Sequence, residues 1–233
     1  MNFTVRTVDV HLEVPFQISR AVRTEKRVVL TVGSDAAVGK MTASLEIVAA
    51  LRRAGERVEF VATGQTGIAI AGGGIAVDAV VADFIAGAAE LMVCDAAERA
   101  DWVVVEGQGS LTHPGFSGVT LGLLHGAAPD VMVLCHEAMR HSVKGYDDRQ
   151  PLRTLREYVR IYEDAAAWRR PPGYPPARVV AVAVNTADVS EQFAYALIQN
   201  AATETGLPAA DPIREGPAGA DRIARALREG VPA

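Results

Sequence analysis

Residues 28–42 read VVLTVGSDAAVGKMT, and this stretch decides the fold. Its first five residues are apolar or β-branched, which predicts a short buried strand. Residues 33–40 then form a loop bounded by glycines, and a helical pattern begins at Lys40. The order of strand, glycine-bounded loop and helix is typical of a phosphate-binding loop in an α/β protein.

The residue types in this loop suit an anion. Gly33 and Gly39 allow backbone angles that a Cβ would forbid, so main-chain N–H groups can approach a phosphate. Lys40 adds a positive charge, and the helix that follows directs its positive end to the same place. We therefore predict a pyrophosphate site formed by Gly33, Ser34, Asp35, Ala37, Val38, Gly39, Lys40, Met41 and Thr42.

The residue after the lysine departs from the usual pattern. Phosphate loops commonly carry Ser or Thr there, and its hydroxyl group binds Mg²⁺. In this chain Met41 holds that position and Thr42 follows it. The sequence therefore predicts phosphate binding. It supports metal-assisted nucleotide hydrolysis less strongly than it supports phosphate binding.

Composition narrows the class of protein. The chain has 233 residues, of which 49% are hydrophobic and 22% charged, as expected of one large globular domain, or one and a half domains, with a substantial core. A net charge of −5 argues against a nucleic-acid partner, and the apolar runs are too short for a membrane span. The two cysteines, Cys94 and Cys135, are too few for a disulfide framework or a metal site, so we predict that both are core residues. Because free cysteines are typical of a reducing compartment, we also predict a cytoplasmic protein.

Strand and helix patterns alternate along the chain after residue 27. The patterns predict strands over residues 58–63, 102–106, 130–135 and 178–184. They predict helices over residues 40–54, 78–99, 151–168, 191–205 and 219–229. This alternation predicts an open, mainly parallel sheet of the P-loop NTPase (Rossmann-like) type, with helices on both faces. Residues 1–26 predict a short leading β segment, so we expect domain boundaries at 1–26 and 27–233.

Polar residues follow several of the predicted strands. Glu106 precedes a Gly-x-Gly turn, His113 lies in the same loop, and His136 directly follows the fourth strand. Ligands of open α/β sheets collect at the carboxyl ends of the strands, so each is a candidate catalytic acid or base. Alternatively, Glu106 only ends a strand, and a lone histidine is more often structural, which is our interpretation of His125.

A basic cluster after the fourth strand predicts an anionic substrate. Arg140 can hold a carboxylate with two parallel hydrogen bonds, and Lys144 can neutralise a second anionic group. The glycine triplet at residues 72–74 fits a ligand-approach loop or a plain turn equally well.

Three motifs together resemble a known family. GSDAAVGKMT, EGQGSLTHPGFSGVTLGLLHG and DVMVLCHE are similar to the carboxyl-terminal phosphate-loop domain of a family long labelled uncharacterised, one branch of which is assigned as D-glutamate N-acetyltransferase. The resemblance extends from about residue 27 to the end of the chain. It implies a Rossmann-like domain before the phosphate loop, and we expect residues 1–26 to be a truncated form of that domain or a replacement for it. More distantly, the phosphate loop and the Glu106 turn resemble dethiobiotin synthetase.

The closer resemblance implies an acetyl-CoA-dependent N-acetyltransferase that acts on D-glutamate or a similar acidic amino acid. The phosphate loop would hold the cofactor pyrophosphate, while Ser110, Glu137, Arg140 and Lys144 would contact the acceptor. The distant resemblance to dethiobiotin synthetase implies that Asn185, at a strand end, contacts the adenine. Glu106, His113 or His136 would be the general base, with N–H groups of residues 107–110 at the oxyanion. The alternatives are an ATP- and Mg²⁺-dependent ligase or kinase and a non-catalytic nucleotide-binding module. We also expect a homo-oligomer.

Overall fold

The computed structural model of the protein describes Ala21 and residues 25–146 and 149–231. These residues form strands β1 (Arg27–Gly33), β2 (Val58–Val61), β3 (Trp102–Val105), β4 (Val131–Glu137), β5 (Arg178–Asn185) and β6 (Ala209–Ala210). The helices among them are α1 (Lys40–Arg53), α2 (Gln65–Ala71), α3 (Ile85–Ala97), α4 (Ser117–Ala127), α5 (Leu155–Ala167), α6 (Glu191–Thr205) and α7 (Pro217–Gly230).

All six strands pair in parallel in the order β2, β3, β1, β4, β5, β6. β1 lies between β3 and β4, where Leu30 is in register with Val105 on one side and Met132 on the other. The strands are apolar throughout because both faces of a parallel sheet are covered. Their carboxyl ends all lie at one edge, so the loops after them can form one site.

The core has one layer on each face of the sheet. Leu30 of β1 packs in the layer that includes Val93 of α3 and Leu123 of α4. Its neighbour Val29 points to the opposite layer, which includes Ile47 of α1. Helices cover both faces, and the predicted fold class is confirmed.

The predicted helix over residues 78–99 is wrong in its first part. Two short 3-10 turns, Val77–Ala79 and Ala82–Phe84, precede α3, which begins only at Ile85. The first 3-10 turn is hydrogen-bonded to the segment after β2, because Val77 N–H donates to the Thr63 carbonyl at 3.0 Å. A hydrogen bond to the segment after β2 therefore overrides the local helical pattern.

Helix α4 was not predicted from the sequence, because its glycines resemble loop residues. Gly126 packs against α3 so closely that a Cβ there would lie 2.1 Å from the Ala86 carbonyl oxygen. The glycine is needed for helix packing and not for a turn, which only the tertiary structure reveals. The short helix α2 and strand β6 were also missed, and the other predicted elements agree within a few residues at their ends.

The predicted leading β segment lies mostly outside the described residues. Ala21 is buried, and its N–H donates to Glu90 Oε1 of α3 at 3.2 Å. The boundary between residues 26 and 27 stays a prediction. In the described part of the chain, no helix is long and apolar enough to cross a membrane.

Candidate functional site

The phosphate loop connects β1 to α1 in the conformation expected for an anion site. Ala37 has φ 56° and Gly39 has φ 98°, so the main chain turns twice into the left-handed region. The main-chain N–H groups of residues 36–42 donate no hydrogen bond within the described chain. Such a run of unpaired N–H groups at the start of a helix is a ready anion-binding concavity.

Lys40 begins α1 and folds back over this loop. Its Nζ donates to the Asp35 carbonyl at 2.8 Å, and the residue is only 6% exposed. Burial lowers the pKa of Lys40 to about 8, because the ammonium group loses its hydration. An anion bound on the loop would raise the pKa of Lys40 again, because it stabilises the ammonium form.

Glu106 directly follows β3, and its carboxylate contacts the segment at the start of α2. Its Oε2 accepts hydrogen bonds from the N–H groups of Thr63 at 3.0 Å and Gly64 at 3.1 Å. Burial raises the pKa of Glu106, although these hydrogen bonds and the charge of Lys40 oppose the shift. Oε1 has no partner in the described chain, so Glu106 has one oriented oxygen available for a proton.

Two cavities meet at the phosphate loop and share Gly39 and Thr42. The first, which we call the apolar cavity, has a volume of about 440 Å³ and lies beside the end of β5. The second, the polar cavity, has a volume of about 620 Å³ and contains Lys40 and Glu106. A molecule with a diphosphate between two larger parts can therefore extend into both.

Asn185 lines the apolar cavity at the end of β5, and its contact with adenine stays a prediction. Its Oδ1 accepts from Ala187 N–H at 3.1 Å, which fixes the amide. The opposite wall is the loop after β6, with Pro212, Ile213 and Arg214. This wall was not predicted from the sequence, although the Asp211-Pro212 dipeptide is a turn signal after an apolar stretch.

Met41 lines the polar cavity, in the position where other phosphate loops place a metal-binding hydroxyl. Thr42 lies in both cavities. Within the described residues, no group of three or more His, Cys, Asp or Glu side chains could hold a metal ion. Cys135 is buried beneath the loop, where burial raises its thiol pKa to about 12.

Arg140 is occupied by the loop itself. Its Nη1 donates to Asp35 Oδ2 at 2.9 Å and to the Ala36 carbonyl at 3.2 Å, and its Nη2 pairs with Glu137. The main-chain N–H of Lys144 also donates to Asp35 Oδ2, at 2.7 Å. This geometry favours a positioning role for Arg140 and Glu137 over direct contact with a substrate carboxylate. The side chain of Lys144 is exposed.

His136 lies on the opposite side of the loop from Glu106. Its Nδ1 is 2.9 Å from Ser34 Oγ, and its ring lines a separate cavity of about 360 Å³ beside α5 and α6. Burial lowers the pKa of His136 to about 4, assisted by the charges of Arg140 and His141. The imidazole is therefore neutral at pH 7.

His113 and Ser110 are both built into the loop after β3. His113 Nδ1 accepts from Gly115 N–H at 3.1 Å, its Nε2 lies 3.3 Å from the Lys144 carbonyl, and its ring stacks on Phe116. Ser110 is fully buried, and its Oγ donates to the Ser34 carbonyl at 3.2 Å. Neither residue lines the two cavities at the loop, so Glu106 is the candidate base that the structure places beside Lys40.

The remaining sequence candidates lie away from the loop. His125 lies within 3.0 Å of the Ala165 carbonyl through Nε2, in agreement with a structural role. Residues 72–74 turn the chain after α2 and line neither cavity.

A parallel sheet with this loop after its central strand defines the class of phosphate-loop α/β proteins. The family model described as "Domain of unknown function (DUF1611_C) P-loop domain" matches residues 16–224, and the chain belongs to this family. The resemblance seen in the sequence motifs is thereby confirmed.

Relatives support this family assignment. A D-glutamate N-acetyltransferase of Pseudoalteromonas sp is 39% identical over 206 residues, which cover 88% of this chain and 60% of the relative. The chain thus spans about three-fifths of the curated relatives that it matches. A crystal structure of a DUF1611 family protein from Anabaena variabilis has a TM-score of 0.84 at 40% identity, covering 92% of this chain and 62% of that one.

A more distant likeness shows the fold alone. The ADP- and magnesium-bound cobyrinic acid a,c-diamide synthase of Mycobacterium smegmatis has a TM-score of 0.55 at 17% identity. The alignment covers 88% of this chain and 94% of the synthase.

Proposed function

We propose that the protein is an acetyl-CoA-dependent N-acetyltransferase whose acceptor is D-glutamate or a similar acidic amino acid. The observation that carries this proposal is the pair of cavities that meet at the phosphate loop at Gly39 and Thr42. Acetyl-CoA has a diphosphate between an adenosine part and a pantetheine arm, which matches this arrangement. The names of the 39% and 38% identical relatives support the same activity.

The loop would bind the diphosphate without a metal ion. The unpaired N–H groups of residues 36–42 and the Lys40 ammonium supply donors and positive charge. Met41 leaves no hydroxyl at the usual Mg²⁺ position, which CoA binding does not require. Adenosine would occupy the apolar cavity beside Asn185, and the thioester end would lie in the polar cavity.

Glu106 would act as the general base in the polar cavity. Acetyl-CoA supplies the activated acetyl group. The acceptor ammonium transfers a proton to Glu106, and the resulting amine attacks the thioester carbonyl carbon. As the new C–N bond forms and the C–S bond breaks, Glu106 returns a proton to the leaving thiolate, and the remaining amine proton is released to water. The raised pKa of Glu106 suits both proton transfers.

Main-chain donors are available for the carbonyl oxygen during this attack. Gln108 and Gly109 line the polar cavity, and their N–H groups donate no hydrogen bond within the described chain. Donors of this kind stabilise the developing negative charge. It stays a prediction that Arg140 and Lys144 contact the acceptor carboxylates directly. A homo-oligomeric assembly and a cytoplasmic location also stay predictions.

A second candidate is an ATP- and Mg²⁺-dependent ligase or kinase. The position of Glu106 beside Lys40 favours it, since an acid at a strand end commonly orients the metal in phosphate-loop enzymes. Met41 argues against it. A non-catalytic nucleotide-binding module is the third candidate, and tight binding without turnover of any acceptor would distinguish it.

Isothermal titration with CoA, ATP and ADP, each with and without Mg²⁺, tests the proposal. We expect CoA to bind with the same affinity in Mg²⁺ and in EDTA, and acetyl-CoA to be consumed when D-glutamate is added. Binding of ATP only in Mg²⁺, without CoA binding, would replace the proposal by the ligase or kinase.

The variant Lys40→Ala tests the phosphate loop itself. We expect it to weaken CoA binding by about 10- to 100-fold, the typical effect of losing a charge-assisted hydrogen bond. Lys26→Ala is the matched control, because Lys26 makes a partly exposed ion pair with Asp101 at 2.8 Å. If the Lys40 variant bound CoA with unchanged affinity, the phosphate loop would not be part of the CoA site.

A further inference from the structure

Arg214 is held in a fixed orientation at the wall of the apolar cavity. Its Nε donates to Thr186 Oγ1 at 2.8 Å, and its Nη2 donates to the carbonyls of Thr186 at 2.6 Å and Val189 at 2.8 Å. These three hydrogen bonds fix the plane of the guanidinium group. The side chain is therefore pre-organised before any ligand arrives.

The positive charge of Arg214 is not neutralised by an ion pair within the described chain. The carboxylate on its own loop, Asp211, is used elsewhere: Oδ2 accepts from Thr186, and Oδ1 accepts from the N–H groups of Ile213 and Arg214. Glu215 pairs with Arg222 at 2.8 Å. All acceptors of the guanidinium are thus neutral oxygens.

One nitrogen of this group is left over. Nη1 of Arg214 makes no hydrogen bond to the part of the chain that the structure describes. An oriented guanidinium with two unused N–H groups and no counter-charge is well suited to a phosphate. The cavity that Arg214 lines is otherwise mainly apolar.

We infer that Arg214 recognises the 3′-phosphate of CoA. This inference rests on the proposed function, because a diphosphate on the phosphate loop places the adenosine part of CoA in the cavity that Arg214 lines. The 3′-phosphate is the anionic group that CoA carries on its ribose and that ATP and ADP lack. Arg214 thereby selects CoA over nucleotides that bind the same loop.

The first test needs no substitution: the wild-type protein is titrated with CoA and with 3′-dephospho-CoA. We expect dephospho-CoA to bind about 10- to 100-fold more weakly, as for loss of one charge-assisted interaction. In Arg214→Gln, we expect CoA affinity to fall by the same factor and dephospho-CoA affinity to stay unchanged. Arg214→Lys should keep part of the preference.

Arg222→Gln is the matched control, since Arg222 lies on the neighbouring helix α7 and pairs with Glu215. It should retain the full preference for CoA. Equal binding of CoA and dephospho-CoA by wild type would overturn the role of Arg214 and leave the proposed function standing. Equal weakening of both ligands in Arg214→Gln would show a contact with the adenine or ribose instead. If neither CoA nor dephospho-CoA bound to the wild-type protein, both proposals would be overturned.

Discussion

Glu106 is the residue on which the proposed chemistry depends. Two N–H groups bind its Oε2, while burial disfavours its negative charge. The first effect orients the carboxylate and the second makes it a stronger base. Both arise from its position between β3 and the start of α2.

Glu106→Gln should lower kcat for acetyl transfer by about 10²–10⁴-fold, the usual effect of losing a general base. CoA affinity should change little, because the amide oxygen can still accept from Thr63 and Gly64. Steady-state kinetics and CoA titration measure the two effects. His113→Asn is the comparison, since both ring nitrogens already contact the main chain; if this variant lost activity and Glu106→Gln did not, the base would be His113.

The pH dependence of the rate follows from the same carboxyl group. Glu106 accepts a proton only when ionised, so kcat/KM should fall as the pH drops through its pKa. Because burial raises that pKa above the ordinary 4.5, the loss should begin at a higher pH than for an exposed glutamate. A pH–rate profile of wild type that stays flat down to pH 4.5 would argue against this assignment.

His136 predicts a pH-dependent stability. Its pKa of about 4 in the folded protein lies below the ordinary 6.5, so the unfolded chain binds more protons between these values. Its contribution of about 3 kcal/mol is complete above pH 6.5 and is lost as the pH falls towards 4. Urea unfolding at pH 7.5 and 4.5 should therefore show a smaller drop for His136→Gln than for wild type. An equal drop in both proteins would assign the acid sensitivity to other groups.

At the scale of elements, the loop after β4 supports the phosphate loop. Arg140 and the main chain of Lys144 both bind the carboxylate of Asp35, whose side chain is completely buried. Tyr162 of α5 adds a second support, because its hydroxyl donates to the Gly33 carbonyl at 2.7 Å. The anion site is thus held by segments that lie more than a hundred residues away in sequence.

Arg140→Met should lower the free energy of unfolding by about 3 kcal/mol, because it leaves a buried carboxylate without its charged partner. CoA affinity should fall along with stability, since the loop loses its support. The double variant Asp35→Asn with Arg140→Met should recover much of the stability, as measured by urea unfolding.

Arg53→Met is the control for this pair. Arg53 and Asp221 form an ion pair in which both side chains are largely exposed, so its loss should cost less than about 1 kcal/mol. If Arg140→Met raised KM for the acceptor alone, with CoA affinity and stability intact, Arg140 would be a direct substrate contact.

At the scale of the whole molecule, the parallel sheet gathers the site at one edge. Amide hydrogen exchange tests whether the loops at this edge form one CoA site. We expect CoA to slow exchange of the main-chain amides in residues 36–42, 107–110 and 185–189. Residues 98–101, which precede β3 at the opposite edge, should keep their rates. If CoA protected residues 36–42 but not residues 185–189, the placement of the adenosine part in the apolar cavity would be wrong.

Local patterns were sufficient to predict the fold class. The apolar strand, glycine-bounded loop and helix in residues 28–42 depend on neighbouring residues alone, as does the alternation of strands and helices that follows. The placement of Glu106 and Asn185 near the loop also follows from the sequence, since parallel strands end at one edge. Helix α4 did not follow, because its glycines serve contacts with α3.

The sequence by itself thus determined a phosphate loop on a parallel α/β sheet and the set of polar residues at its edge. Only the tertiary structure separated Glu106 from His113 and His136, and only it showed that Arg140 is bonded to Asp35 and that Arg214 lines the apolar cavity. The physical reason is that strand and turn propensities act between neighbours along the chain. Hydrogen-bond partners, burial and hence pKa depend on segments that folding brings together from distant positions.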